Sequence, residues 1–175
     1  QGISYGAEIT FTTLALSTAT VTTLDATDIT TVSATLGGDV TSDGGASVTE
    51  RGICYGISEN PTTSDYKVTI GNGTGSFNQS ITSLTANTTY YVRAYAINNQ
   101  GTAYGAQISF TTKNVSLATV TTANASAITS SSAILGGNVT EDGGAIVTER
   151  GICYSTSQNP TIADNQVPIG NGVGS

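Results

Sequence analysis

The chain has no histidine, no methionine and no tryptophan in 175 residues. Without an imidazole, a Ser or Cys nucleophile lacks its usual general base. The same absence, with only two Cys, removes the donor sets that zinc prefers. Charge is scarce as well. Only 10% of residues are charged, against about 25% in ordinary soluble domains. Five Lys and Arg face twelve Asp and Glu, for a net charge of -7. That balance argues against a nucleic-acid partner, because phosphate binding needs clustered basic groups. No apolar run approaches the roughly 20 residues of a membrane-spanning helix, so no membrane span is expected. No stretch keeps a helical 3.6-residue period either.

The acids that are present do not gather. Asp25/Asp28 and Asp39/Asp43 are sparse pairs near turns, and calcium asks for several carboxylates at close spacing. The loop Gly71–Gly75 lacks the following Lys and helix of a phosphate cradle. The chain is therefore expected to be no enzyme, to hold no cofactor and to need no metal.

What the chain does have is itself, twice. Shifted by 99 residues it matches without a gap, and 49 of the 76 overlapping residue pairs are identical. Thr49-Glu50-Arg51-Gly52-Ile53-Cys54-Tyr55 falls on Thr148-Glu149-Arg150-Gly151-Ile152-Cys153-Tyr154. A period this long is a whole domain, not a solenoid unit. Residues 1–13 read as the closing strand of a preceding repeat, 14–18 as a linker, and 19–112 as one complete repeat. Residues 113–117 read as a second linker and 118–175 as the first part of the next repeat. The chain is expected to be a section of a longer array. Cys54 and Cys153 occupy matching positions in consecutive domains, too far apart for a disulfide, so two free thiols are expected.

Within the complete repeat, short runs rich in Val, Ile, Thr and Tyr alternate in polarity between Gly, Asn, Asp and Ser clusters. The pattern predicts strands near 19–24, 32–42, 46–57, 66–71, 76–83, 88–98 and 102–112. Ser42-Asp43-Gly44-Gly45 is expected to be a hairpin turn, and Glu59-Asn60-Pro61-Thr62 a turn set by Pro. Tyr90, Val92, Ala94 and Ala96 share an inward face, as do Tyr104, Ala106, Ile108 and Phe110. Seven half-buried strands make a two-sheet all-β sandwich.

The run Leu84-Thr85-Ala86-Asn87-Thr88-Thr89-Tyr90-Tyr91-Val92-Arg93-Ala94-Tyr95-Ala96-Ile97-Asn98, followed by Gly101, resembles the sixth-strand signature of fibronectin type III domains. Val48–Pro61 and Thr102–Thr112 resemble more narrowly the fibronectin type III-like repeats of secreted and cell-surface proteins of Bacteroidota. The resemblance implies tandem seven-stranded sandwiches of immunoglobulin-like architecture, placed outside the cell. It gives Tyr90 the tyrosine-corner position, six residues after Leu84, with its hydroxyl bonded to the backbone upstream. The core Trp common in animal members is missing, and Tyr55 and Phe110 are expected to fill that space. No Arg-Gly-Asp tripeptide is present, so integrin binding does not carry over.

Two surface features remain. Tyr91, Arg93 and Tyr95 are read as an outward row beside Gly52, Cys54 and Gly56. Such a row either covers a glycine-rich strand or binds a glycan or protein ligand. In the linkers, Leu14, Leu16, Val115 and Leu117 are expected to pack against the ends of adjoining repeats. The function expected from these features is the shaft of a bacterial surface fibre or adhesin. Its partners would be adjacent repeats of the same chain and, in a fibre, lateral copies. The alternative is a glycan- or protein-binding module.

Overall fold

The computed structural model describes residues 1–175. It contains strands and no helix. The first eight strands are β1 (Thr20–Thr27), β2 (Ala34–Ser42), β3 (Glu50–Gly56), β4 (Tyr66–Gly71), β5 (Gly75–Ile81), β6 (Thr89–Asn98), β7 (Gly101–Tyr104) and β8 (Ile108–Thr111). They form two sheets, in the order β1-β2-β5 and β4-β3-β6-β7, with β8 also paired to β6. Pairings β1 with β2, β3 with β4 and with β6, and β6 with β7 are antiparallel. This is the all-β sandwich that the alternation predicts.

The chain divides into two compact units. The first comprises residues 1–27, 35–81 and 89–110, and the second 28–34, 82–88 and 111–175. The core of the first unit contains Leu36, Val40, Ile53, Phe77, Ile81, Val92, Ala94, Ala96 and Phe110, all buried. Tyr90 is buried with them, its ring 5.7 Å from Phe110 and 6.4 Å from Tyr55. The three rings pack together on one side of the core.

Turn chemistry departs from expectation in one respect. Asp43 Oδ1 accepts the Gly45 N–H at 2.9 Å, and Gly44 and Gly45 have φ of 70° and 80°, so the Asp-Gly-Gly turn is there. It does not close a hairpin. Strand β2 pairs with β1 and β5, whereas β3 pairs with β4 and β6, so the turn passes the chain from one sheet to the other. The four residues after it, Ala46–Thr49, span the crossing, which is why β3 starts later than the pattern suggests. The expected last strand is also divided. At Gly105 the backbone presses against β1, and an added Cβ would sit 2.7 Å from Thr23 N. Strand β7 ends at Tyr104 and β8 begins at Ile108. Tyr104 therefore leaves the inward face; its hydroxyl accepts the Thr63 N–H at 3.1 Å.

In the second unit Leu84 is buried, and its N–H donates to Val32 O at 2.9 Å. Thr112 is 2% exposed. Its hydroxyl donates to Thr85 O at 2.6 Å and accepts the Thr88 N–H at 3.0 Å. Thr112→Val keeps the shape and removes both of these part-buried bonds. It is expected to destabilise the protein by about 1–3 kcal/mol. A urea midpoint equal to that of the wild type would show that neither bond matters.

The same unit holds β9 (Thr119–Thr122), β10 (Gly137–Glu141), β11 (Arg150–Tyr154) and β12 (Asn165–Gly170), paired as β9 with β10 and β11 with β12. These repeat the pairings of β1 with β2 and β3 with β4. Residues 1–18 are exposed and form no strand.

Candidate functional site: a covered sheet face and the joints between repeats

The outer face of the β4-β3-β6-β7 sheet begins as a weakness. Strand β3 offers Gly52, Cys54 and Gly56 there, which leave backbone open. Strand β6 answers in register: Tyr95 lies opposite Gly52, Arg93 opposite Cys54, and Tyr91 opposite Gly56. Tyr95 is fully buried, and a Cβ added to Gly52 would meet its ring and hydroxyl at 2.9 Å. The Tyr95 hydroxyl donates to Glu50 Oε1 at 2.7 Å and shares a hydrogen bond with Thr69 Oγ1 at 3.2 Å. Lys67 Nζ lies 3.0 Å from the same carboxylate oxygen and 5.8 Å from the centre of the Tyr95 ring.

Each group changes the others. The hydrogen bond from Tyr95, then that from Lys67, holds the Glu50 carboxyl below its ordinary range. Burial pushes the Tyr95 hydroxyl well above its ordinary value, and the Glu50 charge adds to the shift. Burial likewise pushes the Cys54 thiol up to about 12. Farther along β6, the Arg93 Nε–H donates to Gly105 O at 3.1 Å, and its guanidinium lies 4.6 Å from the centre of the Tyr104 ring.

The row Tyr91, Arg93, Tyr95 is thus not an exposed aromatic strip. Tyr91 and Arg93 are half-buried and Tyr95 is buried. Of the two readings of the row, covering of a glycine-rich strand is the one the geometry displays. Alternation along β6 gives the parity of Tyr95 correctly. It says nothing of Glu50, Lys67 and Thr69, which reach over from neighbouring strands. Chemically this is a lock: a carboxylate kept charged and a phenol kept neutral, each the other's partner. No three Cys, Asp or Glu side chains come together anywhere in the chain.

The joints are built differently from expectation. Leu14 and Leu117 are 94% and 93% exposed, and Leu16 and Val115 are 51% and 42% exposed. None of the four anchors its joint by burial, although Leu16 Cδ2 reaches the Gly45 position. Backbone bonds take that role. The Ser17 N–H donates to Gly44 O at 2.9 Å, and 99 residues on, the Ser116 N–H donates to Gly143 O at 2.8 Å. The linker runs against the turn, where a Cβ on Gly44 would come 2.6 Å from Thr18 O and one on Gly143 would come 2.8 Å from Leu117 O. In an extended segment neighbours face opposite ways. With Ser116 turned to the glycines, Leu117 is turned to water.

Asn98 completes the first joint. It is 4% exposed, and its Nδ2 donates to Ser17 O and to Asp43 O, both at 2.8 Å, while Oδ1 accepts the Gln100 N–H at 2.9 Å. Sequence reasoning missed it, although the signal was present: Asn98 continues the inward parity of Ala94 and Ala96. Thr112 gave the same signal by following Phe110. A polar residue at a core position points to a buried hydrogen bond. Arg51 was missed as well. It donates from Nη1 to Thr74 O at 2.7 Å and to Gly75 O at 2.9 Å, tying down the glycine loop.

No family model matches the chain, and no curated protein matches it. Among solved structures the chain is similar to the sensor domain of the anti-sigma factor RsgI4 from Pseudobacteroides cellulosolvens, at 18% identity and a TM-score of 0.43. That similarity covers 58% of this chain and 100% of that one. It is also similar to a fibronectin type III domain from the human KIAA0970 protein, at 14% identity and a TM-score of 0.40, over 54% of this chain and 73% of that one. Titin domains A168–A170 match at 20% identity and a TM-score of 0.39, over 57% of this chain and 32% of that one. The fold assignment rests on the strand order and pairing described above.

Proposed function

We propose that this chain is the repeat region of a long bacterial cell-surface fibre or adhesin, a shaft that holds a distal tip away from the cell. The observation that carries the reading is the recurrence of one joint. Linker and turn meet through the same backbone bond at Ser17–Gly44 and at Ser116–Gly143, 99 residues apart. Equal joints between equal domains apply the same rotation at each step, and that generates a regular rod. A flexible connection would be rich in Gly and Ser; Lys113-Asn114-Val115-Ser116-Leu117 has no Gly and no Pro. In this reading the sandwich is a scaffold and not a catalyst, its partners are neighbouring repeats and lateral copies, and its place is outside the cell. The binding-module alternative drew on the row Tyr91, Arg93, Tyr95 or on the end loops, and the burial of Tyr95 removes the support from the row.

Small-angle scattering on a polypeptide of three complete copies tests the shaft. An elongated, narrow distance distribution is expected. A broad one, as from beads on a string, would sink the reading.

A further inference from the structure

The second unit contains a contact that the shaft reading does not require and that makes it specific. Thr31 sits in the turn Thr30–Ser33, where the Thr30 N–H donates to Ser33 O at 2.8 Å. Hydroxyls in such end turns normally face water. Thr31 instead is 7% exposed, and its Oγ1 donates to Gly144 O at 2.9 Å, across 113 residues of sequence. Gly144 is the last residue of the Asp-Gly-Gly turn of the next repeat. It has a φ of 84°, and a Cβ there would lie 2.5 Å from Thr31 Cγ2. The linker is tied beside this contact at both ends. Lys113 N–H donates to Thr30 O at 2.9 Å, Asn87 N–H donates to Lys113 O at 3.1 Å, and Ser116 N–H donates to Gly143 O at 2.8 Å.

We propose that the Asp-Gly-Gly turn is a socket for the end turn of the preceding repeat, with the Thr31 side chain as the key. The partner this surface fits is another copy of the same repeat, joined head to tail. Glycine at 144 serves twice: it adopts the positive φ, and it leaves room for the Thr31 methyl. Gly45 is the same position one repeat earlier, with a φ of 80°. There an added Cβ would meet Leu16 Cδ2 at 3.1 Å, the end of a flexible side chain. Ser130 stands at the position equivalent to Thr31, so the donor is kept in the next copy. The inference deepens the shaft reading and rests on it for its purpose.

The test uses the whole chain and its native trypsin sites. Lys113 is exposed in the linker, so cutting there reports opening of the joint. Cutting at Arg51 and Arg93, inside the sandwich, reports unfolding. When opening is fast, cleavage tracks the open population. Thr31→Val is expected to raise cleavage at Lys113 about fivefold to tenfold, the effect of one lost hydrogen bond. Cleavage at Arg51 and Arg93 should not change. Gly144→Ala should do the same, whereas Gly45→Ala, with equal backbone strain and no Thr31 above it, should leave Lys113 protected. Unchanged cleavage at Lys113 in both Thr31→Val and Gly144→Ala overturns the socket, and an elongated three-copy scattering profile would then leave the shaft standing without it. Raised cleavage in both variants with a broad three-copy profile keeps the socket and removes the shaft.

Discussion

Gly52→Ala is expected to destabilise the protein by about 3 kcal/mol, at the upper end of what overpacking does. The added methyl would fall inside the contact radius of Val68 O on β4 and 2.9 Å from Cε1 and Oη of Tyr95. The first obstacle is backbone and cannot rotate away. The second can move only by lifting the Tyr95 ring, which breaks the 2.7 Å bond to Glu50 and uncovers β3. Gly56→Ala is the matched comparison on the same strand and face. There the nearest atom to a new Cβ is Ser58 N at 4.0 Å. A change within about 0.5 kcal/mol is expected for that surface site. Urea midpoints of the two variants decide the matter. Equal midpoints would mean that the covering of Gly52 by Tyr95 contributes nothing to stability.

That pair of glycines shows where sequence reading stops. Alternation is a property of one strand, and it placed Leu36, Ile53, Val92, Ala94 and Phe110 in the interior without any knowledge of neighbours. It also located β4 to the residue. What it lacks is the identity of whatever lies across. Tyr95 has outward parity, and parity alone does not show that Lys67, Thr69 and Glu50 close over it from β4 and the start of β3. Tyr104 shares parity with Ile108 and Phe110, but the chain breaks step at Gly105, where β1 comes too close for any side chain. The linker shows a related limit. Apolar spacing suggests anchors, whereas the linker is held by N–H and C=O groups that leave no trace in composition. Asn98 and Thr112 were legible, because a polar residue at an inward position must find partners; their partners were not.

Cys54 is expected to be an inert thiol in the folded protein. Cys54 is fully buried and Cys153 is half-buried; both are free thiols. The thiolate is the reactive species, and burial raises the Cys54 thiol from 9.0 to about 12. At pH 8 that shift alone lowers its thiolate population by about a thousandfold. A small aromatic disulfide reagent added to native protein at pH 8 should therefore leave Cys54 unlabelled until urea unfolds the chain. The same shift sets a stability limit. Above pH 9 the unfolded chain releases the Cys54 proton while the folded one retains it, so stability is complete below pH 9 and is lost as pH rises toward 12. The slope from one such group is at most about 1.4 kcal/mol per pH unit. The raised Tyr95 hydroxyl acts in the same direction above its ordinary value of 10.0. Glu50 acts oppositely: its carboxyl is lowered from 4.5, so its contribution is present above pH 4.5 and is lost as pH falls through the lowered value. Urea midpoints should hold level near neutrality and decline between pH 9 and 11. Cys54→Ala removes one of the two alkaline groups and should make that decline shallower. Prompt labelling of Cys54 in native protein at pH 8 would contradict its burial, and a midpoint that stays level to pH 11 would remove Cys54 and Tyr95 as the groups that limit the fold in alkali.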